Sequence, residues 1–439
     1  MTRSLHVYID QRRIGTLQEG DNLWAFEYDP QWAQAADSFD LSPALARSAL
    51  RHEDGGTTRP VQWYFDNLLP EELLREAVAR EAGFRDAMDA FALLEYLGAE
   101  SAGSLTLLPP DMPPPGQGGM QPLPAEALDH RIRNLPRATL ASGAPKRMSL
   151  AGAQHKLLVN YLDGALYEPE GATPSTHILK PDHHQPDVYP ASVFNEYLTM
   201  RLAAALRLEV PEVWMAYVPA PVYIIERFDR LLGGSGKDMR VQRTHIIDAC
   251  QLLNRDRLFK HRGASLDALR DIVGACTNRA AARLRLFSWL VFNILVANDD
   301  CHLKNLSFRV GADGIFLAPH YDLLSTGAYY TRAIAGDNAR WPTVPMAIEL
   351  PGAKTFDQVS LKSVLEAGGE LGVPERPARR IVAQMMSLLL PATEAVLKEV
   401  EGARAKVPPE ATAALGSQGY LANVLQKMIY PEMLARLKE

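Results

Sequence analysis

Cysteine is scarce in this chain of 439 residues: Cys250, Cys276 and Cys301 are the only three, and none forms a Cys-x-x-Cys pair. An odd, scattered set argues against a disulfide framework and suits a reducing cytosol. A basic excess is also missing. The 46 Lys and Arg are outnumbered by 52 Asp and Glu, giving a net charge of −6, so unaided binding to a polyanion is not implied. The longest apolar run, residues 286–297, is too short to span a bilayer and reads as a core helix. The opening "MTRSLHVYID" holds no apolar stretch of the secretory kind. A cytoplasmic protein with no membrane partner is the expectation. No internal repeat stands out, and the length allows two or three domains with sizeable cores.

Organisation is legible along the chain. Residues 5–28 alternate as strands, with polar turns between "LHVYID", "IGTL" and "NLWAFEY". Helical periodicity follows in "LPEELLREAVAREAG" and "DAFALLEYLG", and "SLTLL" (104–108) closes a small mixed α/β N-terminal subdomain, 1–108. In 109–124, ten of sixteen residues are Pro or Gly; such a segment is expected to sustain neither helix nor sheet and to act as a linker. Residues 125–244 read as a strand-rich lobe: a hairpin around Asp163-Gly164, a strand in "THILK", a helix over 191–206, and strands in "VWMAYV" and "PVYIIERF". From 245 to 439 the pattern is helical, except for two strands around a Gly-Ala-Asp-Gly turn in 306–322. The fold class expected is α+β, a bilobal protein-kinase-like fold with a strand-rich N-lobe and an all-helical C-lobe, preceded by the small subdomain.

That order suggests a chemistry. Phosphoryl transfer from a nucleotide needs a cation on the phosphates, oxygen ligands for Mg²⁺, and a carboxylate aimed at the incoming hydroxyl. Lys180 ends a strand and Glu196 lies sixteen residues on in the next helix, the pairing by which kinases fix a phosphate-binding ammonium; by itself such a pair reads as a surface ion pair. Asp300 and Asn305 stand five apart in "NDDCHLKN", the spacing of base and metal-binding asparagine in a kinase catalytic loop. Taken alone, that spacing is also met in polar loops after helices. Asp322, just beyond the second hairpin, stands where a further Mg²⁺ ligand belongs, although Leu323-Leu324 replaces the usual Phe-Gly. Asp300-x-His302 and His320-x-Asp322 could be drawn as a transition-metal site. No HExxH or Cys/His spacing supports that, so histidines bonded within their loops are the reading preferred.

Longer motifs carry a resemblance: "FDNLLPE" (65–71), "LGAESAGSLTLLP" (97–109), "SLAGAQHK" (149–156), "PSTHILK" (174–180), "NEY" (195–197), "ERFDR" (226–230), "NDDCHLKN" and "YDLLS" (321–325). In this order the chain resembles the HipA kinases, serine/threonine-protein kinase toxins of bacterial two-gene toxin–antitoxin systems. The resemblance implies Asp300 as catalytic base, Asn305 and Asp322 as Mg²⁺ ligands, and Glu196 as the ion-pair partner of Lys180. It further implies ATP contacts at Ala151, Gly152, Ala153, Gln154, Lys156, Lys180, Glu226, Arg227, Phe228, His302 and Lys304, the backbone of Glu226 and Phe228 holding adenine. Ser149 matches the family's autophosphorylated serine. A phosphate there would set about two negative charges beside a loop that approaches ATP, a self-limiting switch. The loop has one glycine, Gly152, where ordinary protein kinases have three, and His155 has no assigned role. The family also implies a HipB-like helix-turn-helix antitoxin, operator DNA reached only through it, and an aminoacyl-tRNA synthetase as protein substrate. The loop is similar to that of phosphoinositide kinases too, so a small-molecule or lipid phosphotransferase remains an alternative. A non-catalytic corepressor partner of a DNA-bound antitoxin is another.

Overall fold

The computed structural model describes residues 2–149, 151–233, 240–404 and 407–438; Leu150 of the "SLAGAQHK" motif lies outside them. The chain divides into two compact units that exchange sequence several times. Unit 1 comprises Met1–Leu179, Glu226–Lys260 and Ser307–Ala318, and unit 2 comprises Lys180–Ile225, His261–Leu306 and Pro319–Glu439.

Unit 1 begins with an antiparallel five-stranded sheet, in the order Arg51–Glu53, Leu23–Tyr28, Arg12–Gly20, Arg3–Ile9, Leu105–Leu108. Alternation decides its faces: Leu5, Val7, Leu17 and Phe26 are fully buried, as period-2 geometry requires of a half-covered sheet. Asp21 and Asn22 both adopt positive φ, the conformation that two-residue hairpin turns demand. The Pro60–Asp66 and Ala90–Leu97 helices cover the sheet, with Phe26 against Phe65 and Trp24 edge-on to Phe91. A second set of strands pairs Leu157–Leu162 with Ala165–Gly171 and with His177–Pro181. The hairpin turns at Asp163 and Gly164, both at positive φ.

Residues 109–124 depart from expectation. They include the Gly118–Pro122 strand, which pairs antiparallel with Ala165–Gly171. An edge strand tolerates residues without a donor, and this one stands at the end of its sheet with most of its residues exposed. The stretch from 245 on is not all-helical either. Beyond the expected hairpin, Ser307–Gly311 with Gly314–Leu317, it holds the short strands Ile246–Asp248, Pro345–Leu350 and Ala353–Thr355. Runs of three to six residues are too brief to outweigh the helical periodicity around them.

Unit 2 is built on helices around Arg279–Leu295, capped by the Asn278 side chain on Ala281 N at 3.1 Å. From Leu286 to Leu295 this helix is buried almost all round, as a central core helix must be. The Glu375–Ala403 helix is long and apolar enough to cross a membrane by length and composition. Its buried residues Ala378, Val382, Met385, Leu389, Thr393 and Val396 recur every three or four positions, a one-sided stripe that packs on the Ser192–Ala205 and Arg279–Leu295 helices.

Candidate active site

The site is assembled first by how the central helix ends. Ala297 takes φ 53°, its N–H donates to the Ile294 carbonyl at 3.1 Å, and Asn298 N–H donates to the Asn293 carbonyl at 2.8 Å. This double bond pattern is a Schellman stop, with alanine where glycine is usual. The next bonds fix the loop. Asn293 Nδ2 donates to the Trp289 carbonyl, and Asn298 Nδ2 donates to Asn293 Oδ1, both at 2.8 Å. Asn298 Oδ1 then accepts from Asp300 N–H at 3.0 Å, while Thr326 Oγ1 accepts from Asp299 N–H at 2.7 Å. A buried asparagine ladder therefore runs from the helix core to the backbone of Asp300. The Asp300 carbonyl accepts from His302 N–H at 2.9 Å and from Asn305 Nδ2 at 3.0 Å. The latter bond commits the amide nitrogen of Asn305 and orients its oxygen, the atom a hard cation takes. Asp300 itself is exposed, whereas His302, Lys304 and Asn305 are buried.

Unit 2 also brings together three residues far apart in sequence. The Lys180 ammonium is buried and donates to Glu196 Oε1 at 2.8 Å and to Asp322 Oδ1 at 2.5 Å. Burial alone would push its pKa down, but Asp322 and Glu196 outweigh burial and hold it above the ordinary lysine range. The cation is thus kept charged out of water, the state in which it attracts phosphate most strongly. Asp322 adopts φ 59°, a costly conformation for a residue with a Cβ and one that persists where the surroundings impose it. Those surroundings include Asn195, whose side chain donates to the Ser325 carbonyl at 3.1 Å and accepts from Ser325 N–H at 2.8 Å. Tyr321 donates its hydroxyl to the Lys304 carbonyl at 2.8 Å, tying this segment to the Asp300 loop. Hard oxygen donors at Asn305 and Asp322, with a charged ammonium at Lys180, fit a magnesium-bound nucleoside triphosphate.

The remaining candidates lie in unit 1. Ser149 is buried; its N–H donates to the Glu100 carbonyl at 2.7 Å and its hydroxyl to the Leu68 carbonyl at 2.6 Å. Gly152, at φ 109°, forms an isolated bridge with Pro70, and the Gly152 carbonyl accepts from Glu71 N–H at 3.2 Å. A Cβ on Gly152 would lie 2.7 Å from Lys156 Nζ, which donates to the Ala151 carbonyl at 2.5 Å. Ala153 and Gln154 are half-buried and His155 is buried. In the "ERFDR" segment Glu226 and Phe228 are half-buried. The Arg227 guanidinium is bound to Asp229, Glu100, Ser175 and the Ser101 carbonyl, and its backbone is committed as well, the N–H donating to the Thr176 carbonyl at 2.9 Å and the carbonyl accepting from Arg230 N–H at 3.0 Å.

Several organising residues escape a reading of the sequence. Glu100 is fully buried and pairs with Lys146 at 2.7 Å, Arg230 at 2.9 Å and Arg227 at 3.1 Å. Burial works to raise its pKa, and the three cations outweigh it and hold the carboxyl below the usual range. Asn293, Asn298, Asn195, Tyr321 and Thr326 were given no role from sequence, since their partners are fixed only by folding. His261 was missed as well. Its ring meets His302 edge-on with centroids 4.7 Å apart, and a donor atom on each of His261, Asp300 and His302 lies within 4.8 Å of the other two.

Comparison with known proteins gives consistent matches. The HipA-like C-terminal domain matches residues 148–392, and the HipA N-terminal domain matches residues 5–108. The Sinorhizobium fredii protein Y4mE is 36% identical over 340 residues, 74% of this chain and 78% of that one. The serine/threonine-protein kinase toxin HipA of Shewanella oneidensis is 30% identical over 347 residues, 75% of this chain and 76% of that one. Among solved structures, the complex of Shewanella oneidensis HipA, HipB and operator DNA contains a chain of the same fold. Its TM-score is 0.76 at 24% identity, covering 98% of this chain and 99% of that one.

Proposed function

Because the chain belongs to the HipA family of serine/threonine-protein kinase toxins, we propose that it moves the γ-phosphate of ATP to a hydroxyl of a cytosolic protein. An aminoacyl-tRNA synthetase is the substrate class we favour, its loss of activity halting translation and growth. The observation that carries this reading is Lys180, a buried, charged ammonium held by Glu196 and facing Asp322. In the proposed mechanism Lys180 binds phosphate oxygens, and Asp300 accepts the proton of the incoming hydroxyl. Asn305 and Asp322 hold the metal. Magnesium, when bound with ATP, supplies the positive charge that offsets the phosphate charge as it develops. The buried asparagine ladder keeps the Asp300 backbone in place, so little reorganisation is needed when the carboxylate acts.

Ser149 is the proposed autophosphorylation site, and its surroundings give the switch a physical form. The hydroxyl oxygen now donates to a carbonyl in a buried position. A phosphate has no hydrogen to give that carbonyl once ionised and carries about two negative charges. Modified Ser149 must therefore leave this position, and the loop that follows it moves with it. The partner we propose is a HipB-like helix-turn-helix antitoxin, because the HipA of similar fold was solved with HipB and operator DNA. DNA would be reached only through that partner, in keeping with the net charge of −6.

The test uses purified protein, labelled ATP and a cell lysate, with Asp300→Asn as control. Label on one or a few proteins, lost in the variant, is the expected result. Label confined to small molecules would favour a metabolite or lipid phosphotransferase instead. Intact mass after incubation with ATP should rise by one phosphate in the wild type and remain unchanged in Ser149→Ala.

A further inference from the structure

We propose that His261, Asp300 and His302 form a binding site for a borderline transition-metal ion, zinc above all, and that its occupation switches the kinase off. The three residues come from two separate places in the sequence. His302 N–H donates to the Asp300 carbonyl at 2.9 Å, closing a three-residue turn that makes Asp-x-His a short chelating pair. His261 arrives about forty residues earlier from a turn of its own, closed by Ala264 N–H on the His261 carbonyl at 3.0 Å. One donor atom on each of the three lies within 4.8 Å of the others.

Two imidazoles and one carboxylate are the ligand set of three-coordinate protein sites that keep a fourth position for water. Tetrahedral zinc would hold such atoms about 3.4 Å apart, given metal–donor bonds of roughly 2.0–2.1 Å. Each donor then needs to move inward by less than about 1 Å, within reach of small torsional changes at the exposed His261 and Asp300. Cys301, between the two loop ligands, is no rival. It is buried, and its Sγ lies 3.5 Å from the Asn298 carbonyl.

Ligand hardness separates this ion from magnesium. Mg²⁺ favours oxygen ligands and keeps much of its water, so a pair of imidazoles discriminates against it. Asn305 and Asp322 offer oxygen only. Zinc at the histidine site would draw on the Asp300 carboxylate, and a carboxylate coordinated to a metal accepts a proton poorly. Inhibition follows if Asp300 is the catalytic base, and that step alone rests on the function proposed above. Binding does not.

The experiment therefore has two arms, wild type and His261→Ala, both as the full chain. His261 is exposed and outside the proposed transfer machinery, so the variant should fold and retain transfer without zinc. Isothermal titration with zinc chloride in the absence of nucleotide should give one site in the wild type. In the variant, affinity should be at least ~10-fold weaker, since even outer-shell partners are worth 10–100-fold. Cobalt substituted for zinc should give the visible absorption of a four-coordinate ion in the wild type only. With magnesium-ATP in excess, micromolar zinc should slow wild-type transfer, and the variant should resist. Absence of zinc binding, or equal affinity in the two proteins, would overturn the site. Binding that requires His261 but leaves transfer untouched would overturn the switch and count against Asp300 as the base. Loss of transfer in both proteins without zinc would instead overturn the kinase reading and leave the site standing.

Discussion

Asp300 is exposed, while its loop is held by backbone atoms and by the side chains of Asn298, Asn305 and Thr326. Asp300→Asn should therefore leave the melting temperature within a degree or two and cut phosphate transfer by at least about 100-fold, the lower range for a general base. Calorimetry beside a transfer assay checks both halves; a variant that transfers at wild-type rate would dismiss Asp300 from the mechanism. Lys180 behaves oppositely. Its removal deprives the buried carboxylate of Glu196 of its cation, and breaking a buried pair from one side costs about 3–5 kcal/mol. Lys180→Met should lower the urea midpoint clearly as well as abolish ATP binding. A stable variant with normal ATP affinity would show the pair to be incidental. The contact of Lys180 with Glu196 was legible in the sequence, as was the spacing of Asp300, Asn305 and Asp322 on which the proposed mechanism draws. Asn293 and Asn298 were not, because a buried asparagine in an apolar helix carries no periodic signal and its partner emerges only on folding.

Elements were readable in proportion to their periodicity. The first three strands, the Asp163-Gly164 hairpin and the Arg279–Leu295 core helix follow directly from alternation, turn chemistry and apolar length. The Gly118–Pro122 edge strand did not, because its pairing with Ala165–Gly171 is long-range and its two glycines and one proline argue locally against any strand. His261 was hidden for a similar reason: nothing in the sequence ties its turn to the Asp300 loop. How the 326–330 turn backs that loop also became visible only in three dimensions. A Cβ on Gly327 would meet the Ala297 Cβ and the Trp341 ring at 2.8 Å, and the Ala297 carbonyl at 3.0 Å. Gly327→Ala should thus destabilise by about 1–3 kcal/mol, the usual cost of overpacking, and slow transfer by shifting the stop that precedes Asp300. Denaturant titration and steady-state rates would test this; a neutral substitution would mean the contact yields freely.

Across the whole molecule, three buried histidines contribute to the response to acid. Burial holds His177 and His245 down at about 4, and burial with Arg285 nearby holds His320 at about 3, all below the ordinary 6.5. Below pH 6.5 the unfolded chain takes up protons that the folded chain refuses. Stability should therefore fall with pH from 6.5 toward 4, by up to about 1.4 kcal/mol per pH unit for each histidine. Urea midpoints at pH 7.5 and pH 5 give the comparison; equal values would mean these rings are not neutral in the folded state. The interleaving of the two units bears on something else, the order in which a ribosome delivers them. Unit 1 closes only with the Ser307–Ala318 segment, and unit 2 still awaits Pro319–Glu439 when that segment emerges. Lys180 is made before Asp322, so on the proposed mechanism a nascent chain would lack the Lys180–Asp322 contact until residue 322 has emerged. Whatever restrains the kinase would then not be needed before residue 322 is made.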